Sequence, residues 1–291
     1  MCGIFGHISE NYLEINENIL SHRGPDSFGF EKVEIENKKI SFFHSRLEII
    51  GLGEQGSQPF QMKGFDSLLI FNGEIYNYKE LKKDLKNNFN ETFQTKTDTE
   101  VLYKLLYHYD IEHCLKKLNG MYSFAYLKKT TREMILARDP LGIKPLYYFH
   151  DQNSFSFSSE IKIFFKYNLK QSILNKKVLG EYFANGWVYE PDTLFQDIYK
   201  LESGHFLKFD ILGEKKEIKK YWDIRDNVDT DIDIKKIIKS QTITDVPYGI
   251  YFSGGYDSSI ISYVLKDQNL MNLNLALEGS ESKRLNILEK Q

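Results

Sequence analysis

The sequence predicts an α+β protein: a layered sheet-and-helix domain, followed by the incomplete start of an α/β unit with a parallel sheet. Three observations support this prediction. Short apolar strand candidates alternate with turns through the first half of the chain, a few amphipathic helix candidates lie between them, and one strand–loop–helix–strand pattern stands near the end. The roughly 45 residues from Tyr248 onward are too few for an independent α/β domain.

The strand candidates of the first half are short runs of apolar residues bounded by turn residues. They are Cys2–Ile8, Ser41–His44, Ser67–Phe71, Tyr122–Leu127, Met134–Ala137, Leu146–Phe149 and Ser154–Phe157. The helix candidates are Leu13–Leu20, Tyr78–Lys86, Glu100–Tyr109 and Ile111–Leu118. Thr97-Asp98-Thr99 precedes the third of these, and such residues are typical of a helix N-cap.

The second half begins with a transition. His205–Phe209 and Glu217–Tyr221 predict a hairpin, Asp223–Asp233 is a polar, acidic linker, and Ile232–Thr242 reads as a helix. The final unit is then a strand, a loop, a helix and a strand, which predicts the start of a βαβ unit. Its elements are Gly249–Phe252, Ser253–Tyr256, Asp257–Leu265 and Leu273–Leu277.

Composition excludes several functional classes. With 38 basic and 41 acidic residues the net charge is -3, which gives no support for nucleic-acid binding. The two cysteines, Cys2 and Cys114, form neither a disulfide framework nor a CxxC metal site. No apolar run is long enough to span a membrane and no secretory signal is evident, so we expect no membrane partner and a reducing, cytoplasmic location.

Cys2 is the most informative residue. Removal of Met1 would leave a terminal residue with both a thiol and a free α-amine. The amine has an ordinary pKa of about 7.7–8.0 and can act as a base near neutral pH, while the thiolate is a strong nucleophile. One residue thus offers both groups, although the alternative of a small apolar residue that begins a strand stays open.

Further motifs suggest a binding site for one ligand. Asn72 and Gly73 offer an amide and a backbone N–H that could converge as an oxyanion hole, or they could form an ordinary Asn-Gly turn. Arg46 suits a carboxylate, whereas Glu74 and Asp98 suit an ammonium group. A glutamine with its side-chain amide facing Cys2 would satisfy all of these groups.

A second motif is Ser253-Gly254-Gly255-Tyr256-Asp257-Ser258-Ser259, between a predicted strand and a predicted helix. Its glycines and the helix N-terminus favour a phosphate, its serines can donate to phosphate oxygens, and Asp257 could hold Mg²⁺. The spacing is not that of a Walker A loop. A Gly-Gly turn capped by Asp257 is the alternative.

Four segments in this order resemble the class II (N-terminal nucleophile) glutamine amidotransferases. They are Cys2–Gly6, His22–Asp26, Asn72–Asn77 and Arg138–Tyr148, with Ser158–Lys162 as a further match. The resemblance covers residues 1 to about 205 and implies an αββα sandwich. It also implies Cys2 as nucleophile and Asn72 with Gly73 as oxyanion hole. The residues that it implies for glutamine binding are Arg46, Leu47, Glu48, Ile49, Ile50, Asn72, Gly73, Glu74 and Asp98.

The SGGYDSS motif resembles the pyrophosphate loop of ATP pyrophosphatases, and the combination resembles glutamine-hydrolysing asparagine synthetases. The resemblance implies ATP and Mg²⁺ for the synthetase half, no cofactor for the glutaminase half, and glutamine, aspartate and ATP as substrates. The implied ATP-binding residues are Tyr251, Ser253, Gly254, Gly255, Asp257 and Ser258, with Asp257 also implied for Mg²⁺. The implied domains are 1–205 (glutaminase), 206–245 (connecting segment) and 246–291 (truncated synthetase start).

The implied reaction hydrolyses glutamine and transfers the ammonia to ATP-activated aspartate, which gives asparagine, AMP and pyrophosphate. We expect this chain to be complete only for the glutaminase half, because a later acidic, glycine-rich motif of the family is absent. Amidation of another carboxylate and a non-catalytic remnant remain alternatives. The oligomeric state is open, with a homodimer as one alternative.

Overall fold

The computed structural model describes residues 1–226, 233–268 and 270–273. The chain divides into two compact units, Met1–Val228 and Asp229–Gln291. The first unit contains two large sheets, and the second contains a two-stranded sheet.

The first unit is built from short strands and short helices. Its strands are β1 (Gly3–Ser9), β2 (Ser27–Ile35), β3 (Lys38–Arg46), β4 (Ser67–Ile75), β5 (Gly120–Lys128), β6 (Glu133–Arg138), β7 (Tyr147–His150), β8 (Phe155–Ser158), β9 (Tyr199–Lys200), β10 (His205–Asp210) and β11 (Lys215–Lys220). Its helices are α1 (Tyr78–Phe89), α2 (Asp98–His108), α3 (Ile111–Lys117), α4 (Lys162–Lys166) and α5 (Leu179–Asn185). Single 3₁₀ turns lie at Glu17–Leu20, Gly53–Gly56, Lys176–Val178 and Ile224–Asp226.

The strands form two antiparallel sheets. The first sheet has the order β2-β3-β1-β8-β7-β9, and the second has the order β11-β10-β6-β5-β4. In the first sheet Gly3 lies opposite Ser45, so the start of β1 is beside the end of β3. In the second sheet β4 is a border strand, with β5 on one side and a single bridge from Leu69 to Phe60 on the other. The predicted hairpin is β10–β11, which joins this sheet through β6.

The main core fills the space between the two sheets. Side chains of a strand alternate between its faces, so Ile4 and Ile8 of β1 point into this core with Leu68 and Ile70 of β4. Phe5, between the two isoleucines, belongs instead to a cluster on the outer face of the first sheet. The two faces of β1 are therefore both buried, which explains its nearly continuous apolar sequence.

Helical segments cover both outer faces. The outer cluster of the first sheet joins Phe5 to Leu20 of a 3₁₀ turn and to Phe164 of α4. On the second sheet Tyr103 of α2 packs edge to face on Tyr126, with ring centroids 6.2 Å apart. The layers therefore run helix, sheet, sheet, helix, and the predicted α+β sandwich is confirmed.

Two local predictions fail for identifiable reasons. The predicted helix Leu13–Leu20 is only the 3₁₀ turn Glu17–Leu20, because the Asn16 side chain accepts from the Asn18 N–H at 2.8 Å and starts the turn late. The strand β2 was not predicted. Its outward face carries Phe28 and Phe30, which are 52% and 41% exposed, so apolar residues do not mark the buried face there.

The second unit confirms the predicted βαβ start. β12 (Gly249–Tyr251) and β13 (Met271–Leu273) pair in parallel, and α7 (Tyr256–Leu265) connects them. α6 (Ile234–Ser240) precedes them. Its N-cap is Asp233, whose side chain accepts from the Lys236 N–H. Leu273 is thus a strand residue, as predicted, and the rest of the predicted strand to Leu277 lies outside the described residues.

Two searches of the described residues gave negative results. None of their helices combines the length and the apolar character that crossing a membrane requires. No group of three or more His, Cys, Asp or Glu side chains among them is arranged to hold a metal ion.

Candidate active site

Cys2 immediately precedes the first residue of β1 and lies next to the end of β3. Its Sγ accepts from the Leu47 N–H at 3.4 Å and lies 3.7 Å from the Leu47 carbonyl oxygen. The Cys2 carbonyl accepts from Arg23 Nε at 2.9 Å, and Arg23 also pairs with Glu160 at 3.3 Å. The backbone of the second residue is therefore held in place by a partly buried guanidinium.

Cys2 opens into a cavity of about 190 Å³. Residues from the N-terminus, β3, β4, β5, α2 and three loops line this cavity. They are Met1, Cys2, Arg46, Leu47, Ile49, Ile50, Gln58, Phe71, Asn72, Gly73, Glu74, Asp98, Thr99, Met121 and Lys144. The structure thus brings together every residue that the sequence analysis proposed for glutamine except Glu48, whose carboxylate pairs with Arg46 at 3.0 Å.

The outward edge of β4 forms one wall of the cavity, and side chains satisfy its backbone groups. The Phe71 N–H donates to Gln58 Oε1 at 2.6 Å, and the Phe71 carbonyl bonds His44 Nε2 at 3.1 Å. Four residues further on, the Ile75 N–H donates to Asp98 Oδ2 at 3.0 Å. Because outward N–H groups recur at every second residue of a strand, the Gly73 N–H between them points to the same side.

The two groups next to Cys2 on this edge have unused hydrogen-bonding capacity. Asn72 is 1% exposed, and in the described part of the chain neither its Nδ2 nor its Oδ1 has a hydrogen-bond partner. Leaving a buried amide unpaired costs about 1–3 kcal/mol of stability. At Gly73 a Cβ would lie 2.1 Å from the Met121 carbonyl oxygen, so only glycine allows β4 to lie this close to β5.

Arg46 is buried and occupied within its own loop. Its terminal nitrogens donate to Glu48 at 3.0 Å and to the carbonyl oxygens of Ile50, Gly51 and Gly53. The guanidinium therefore shapes the loop whose residues line the cavity. A ligand carboxylate that binds the Arg46 guanidinium has to replace one of these partners. Glu48 is the partner that it would replace, because both groups are carboxylates.

Two carboxylates, those of Glu74 and Asp98, also line the cavity. Asp98 is 4% exposed, and burial raises its pKa to about 7, with the negative charge of Glu74 acting in the same direction. Burial also raises the pKa of Glu74, while the positive charge of Lys144 opposes that rise. The pocket therefore disfavours two negative charges until a cation enters.

The thiol itself is in a mixed environment. Burial raises the pKa of Cys2, whereas the Leu47 N–H and the positive charges of Arg46 and Lys144 lower it. Burial lowers the pKa of the chain-terminal amine, which is carried by Met1 in this structure. An amine with a lowered pKa is neutral, and so able to take a proton, at a lower pH than an exposed one.

The SGGYDSS motif follows β12, as predicted, and its last four residues, Tyr256–Ser259, form the start of α7. Gly254 has a φ of +75°, which is the left-handed conformation that favours glycine. Ser253 Oγ and Ser258 Oγ are 3.1 Å apart across the loop, and Tyr251 and Tyr256 are exposed. Asp257 lies in the first turn of α7 and is the acidic residue of that turn. One carboxylate beside a phosphate loop fits the way proteins bind Mg²⁺ together with substrate phosphates.

Comparison with known proteins gives the family. A family model described as "Glutamine amidotransferase domain" matches residues 1–222. This chain belongs to that family. A second family model, "Asparagine synthase", matches residues 231–281, so the amidotransferase domain is followed by the start of an asparagine synthase domain. The resemblance inferred from the motifs is confirmed.

Curated relatives of this amidotransferase agree. A Methanocaldococcus jannaschii protein with the provisional name asparagine synthetase (glutamine-hydrolyzing) 2 is 35% identical over 97% of this chain and 60% of its own length. Asparagine synthetase (glutamine-hydrolyzing) 1 of Bacillus subtilis is 33% identical over 92% and 44%. Amidase chry2 of Gibberella zeae is 29% identical over 93% and 42%. The chain spans about half the length of these relatives.

Solved structures support the fold of the amidotransferase. The glutamine phosphoribosylpyrophosphate amidotransferase of B. subtilis superposes with a TM-score of 0.53 at 22% identity, and covers 76% of this chain and 49% of that one. A structure described as the allosteric regulatory enzyme of purine biosynthesis gives 0.55 at 18% identity, over 94% and 65%.

Sequence reasoning missed three residues of the site. Arg23 and Lys144 were quoted within motifs but given no role, and Gln58 was not singled out. Gln58 precedes Pro59 in a loop, and nothing in its sequence context signals that its side chain would reach the border of a strand. Lys144 stands in a loop sequence of a kind that predicts solvent exposure. In the structure, however, this lysine is buried, with 5% of its surface exposed.

Proposed function

We propose that this chain hydrolyses glutamine to glutamate and ammonia, with Cys2 as nucleophile. The observation that carries the proposal is the position of the Cys2 thiol in a cavity that also contains an unpartnered buried amide at Asn72 and an outward N–H at Gly73. A buried polar group without a partner is costly and is explained when a ligand supplies the partner. The carbonyl oxygen of a side-chain amide is such a partner.

The chemistry follows from these positions. The α-amine that Met1 removal would free on Cys2 takes the thiol proton, and the sulfur bonds to the amide carbon of glutamine. The electron pair of the carbonyl moves to its oxygen, which Asn72 Nδ2 and the Gly73 N–H stabilise. The intermediate then collapses to a thioester as ammonia leaves with the proton of the amine. Water hydrolyses the thioester and restores the thiol.

The remaining groups orient the amino acid. Glu74 and Asp98 receive the α-ammonium, and Arg46 with the backbone of residues 46–50 receives the α-carboxylate, in exchange for Glu48. This assignment explains why two carboxylates lie in a buried pocket where burial opposes their ionisation. A bound ammonium restores their preference for the charged form.

The proposal is tested by incubating the protein with glutamine and measuring glutamate, alongside labelling with diazo-oxo-norleucine, an electrophilic glutamine analogue. We expect glutamate release and a covalent adduct on Cys2, located by peptide mass spectrometry. A folded protein that binds glutamine but forms neither product would support the alternative of a non-catalytic remnant.

Glutamine affinity is expected to depend on pH through Asp98. Burial raises the pKa of Asp98 to about 7, and the carboxyl must lose its proton before it can bind an ammonium group. KM for glutamine should therefore rise by up to about tenfold for each pH unit below 7. Asp98→Asn should raise KM and remove this slope. Steady-state kinetics between pH 5.5 and 8.5 measure it, with Asp110→Asn, an exposed helix cap, as the control.

The same carboxylate gives an opposite effect on stability. A folded-state pKa of about 7, above the ordinary 3.8, means that the contribution of Asp98 to stability is largest at low pH and is lost as pH rises through 7. Asp98→Asn should therefore melt at a higher temperature than wild type above pH 7, with the difference shrinking towards pH 4. If Asp98→Asn were less stable than wild type at pH 8, the result would contradict the assignment of Asp98 as a buried charge that lowers stability and is kept for ligand binding.

For the second unit we propose ATP binding at the loop of residues 253–258, with Asp257 towards Mg²⁺ and Tyr251 beside the base. Gly254 and the N-terminus of α7 support this assignment, since both suit a phosphate. The overall activity that we propose is transfer of ammonia to ATP-activated aspartate, to which this chain contributes the glutaminase half and the start of the synthetase domain. Amidation of another carboxylate is the second candidate, because the relatives include proteins named amidases.

The acceptor is tested with glutamine, ATP and Mg²⁺ plus aspartate or other carboxylic acids, while AMP and the amide product are measured. Asparagine and AMP in equal amounts would support the first candidate, and AMP formed only with another acid would support the second. Asp257→Ala should abolish AMP formation and leave glutamate release unchanged. Loss of both activities in that variant would argue against separate sites.

A further inference from the structure

Lys144 is a buried cation in the glutaminase cavity that the proposed function does not use. Its side chain is 5% exposed, and it lines the cavity together with Cys2 and Glu74. Within the described residues no Asp or Glu oxygen lies within 4.0 Å of its ammonium. Buried lysines are rare and are normally paired, so a lysine at this position calls for a functional explanation.

The backbone fixes where this lysine is. The Asp139 carboxylate accepts N–H bonds from Leu141, Ile143 and Lys144 at 2.9–3.1 Å. The Lys144 carbonyl in turn accepts from Arg138 Nε at 2.9 Å. The nearest carboxylate along the chain is therefore committed to holding the loop and is not the counter-ion of Lys144. The loop delivers the lysine to the cavity rather than to solvent.

We propose that the Lys144 ammonium is an electrostatic element of this site, which favours the thiolate of Cys2 and the negative charge that forms on the glutamine carbonyl oxygen. This inference rests on the proposed glutaminase activity. It adds a fixed positive charge to the two neutral donors, Asn72 and the Gly73 N–H. In a cavity of low dielectric, a positive charge that lines the same cavity as a thiol is expected to shift the thiol pKa by about one unit.

The other charges around the thiol set the balance. The positive groups that act on the thiol are Arg46, Lys144 and the chain-terminal amine. Glu74 and Asp98 are the carboxylates that line the cavity with it. Among the other charges nearby, Asp139 and Arg23 act on Lys144, and Asp26 acts on the chain-terminal amine. Arg46 and Arg23 are engaged by carboxylates at 3.0 and 3.3 Å. Lys144 is thus the positive side chain near Cys2 that is not neutralised by an ion pair in the described part of the chain. Burial lowers the pKa of Lys144, whereas Glu74 and Cys2 raise it.

The test compares wild type with Lys144→Met and Lys144→Arg. The rate at which iodoacetamide, a neutral probe, alkylates Cys2 is measured from pH 5.5 to 10 by peptide mass spectrometry, which separates Cys2 from Cys114. We expect Lys144→Met to move the apparent pKa of Cys2 up by about one unit and to slow alkylation at pH 7 about tenfold. The rate at high pH should stay the same, and Lys144→Arg should restore the wild-type profile.

Lys208→Met is the control, because Lys208 is a lysine of β10 outside the cavity lining. An unchanged pH profile in Lys144→Met would overturn the inference, even if the variant melted at a lower temperature, since packing alone would then explain the residue. Diazo-oxo-norleucine separates this outcome from failure of the glutaminase. Labelling of wild-type Cys2 keeps the proposed function in place whatever Lys144→Met shows, and absence of labelling removes both.

Discussion

Replacing Cys2 with alanine is expected to lower glutamine hydrolysis by more than about 10³-fold, because Cys2 carries the one thiol among the described residues that line the cavity, and a thioester needs a thiol. Glutamate release at saturating glutamine measures the effect. Binding of glutamine should survive, since the groups assigned to its ammonium and carboxylate are unchanged. Thermal stability should change little, because the thiol makes only long contacts, at 3.4 and 3.7 Å, with Leu47.

Cys114→Ala provides the matched control. Cys114 is the other free cysteine, is fully buried in α3, and its Sγ lies 3.2 Å from the Leu105 carbonyl oxygen. We expect this variant to lose some stability and to keep its hydrolytic rate. The opposite pattern, with activity in Cys2→Ala and inactivity in Cys114→Ala, would refute the assignment of the nucleophile.

A second check concerns the N-terminus. The proposed base is the α-amine of Cys2, which exists only once Met1 has been removed. Intact-mass measurement of active protein should therefore show a chain that begins at Cys2. Full activity in a chain that retains Met1 would mean that another group takes the thiol proton.

Replacing Asn72 with alanine is expected to lower kcat by about 10²–10³-fold, which corresponds to about 2.7–4 kcal/mol of lost stabilisation of the oxyanion. KM should change less, because the amide oxygen gains its full negative charge only during the reaction. Stability should not fall with activity. The Asn72 amide has no partner in the described residues, so its removal relieves a buried polar group and offsets the packing that is lost.

Asn77→Ala is the contrasting control within the same segment. The Asn77 amide donates to the Lys117 carbonyl at 2.8 Å and accepts from the Asn119 N–H at 3.0 Å, so its loss should lower the melting temperature and leave kcat unchanged. Urea unfolding and steady-state kinetics on both variants separate the two effects. A large loss of stability in Asn72→Ala, with normal kcat, would show that Asn72 is a structural residue.

Much of the fold follows from alternation of apolar residues. The central strand β1 was predicted because both of its faces are buried, and its apolar run is nearly continuous. The border strand β2 was not, because its exposed face carries aromatic residues and its sequence lacks contrast between the two faces. The helix expected at Leu13–Leu20 failed because the asparagines there bond the backbone locally, which sequence periodicity does not register.

The site shows a similar division. Cys2, Asn72, Gly73, Glu74 and Asp98 were proposed from residue type and motif, and the structure places them around one cavity. The role of Gln58 could not be predicted from sequence. It depends on the hydrogen bond that its side chain accepts from the Phe71 N–H, and Phe71 belongs to a different element of the fold. The burial of Lys144 depends on the loop that Asp139 organises, which is a property of the folded chain and not of the local sequence.

The border position of β4 has a consequence for association between molecules. A bare strand border is a template on which another chain can add, and such addition leads to aggregation. Here Phe60, Gln58, His44 and Asp98 take up the outward groups of Leu69, Phe71 and Ile75. The Gly73 N–H lies between two of these covered positions, so a foreign strand would find no run of consecutive free groups there. The side of β4 that lines the cavity is therefore also protected, along Leu69, Phe71 and Ile75, against addition of another strand.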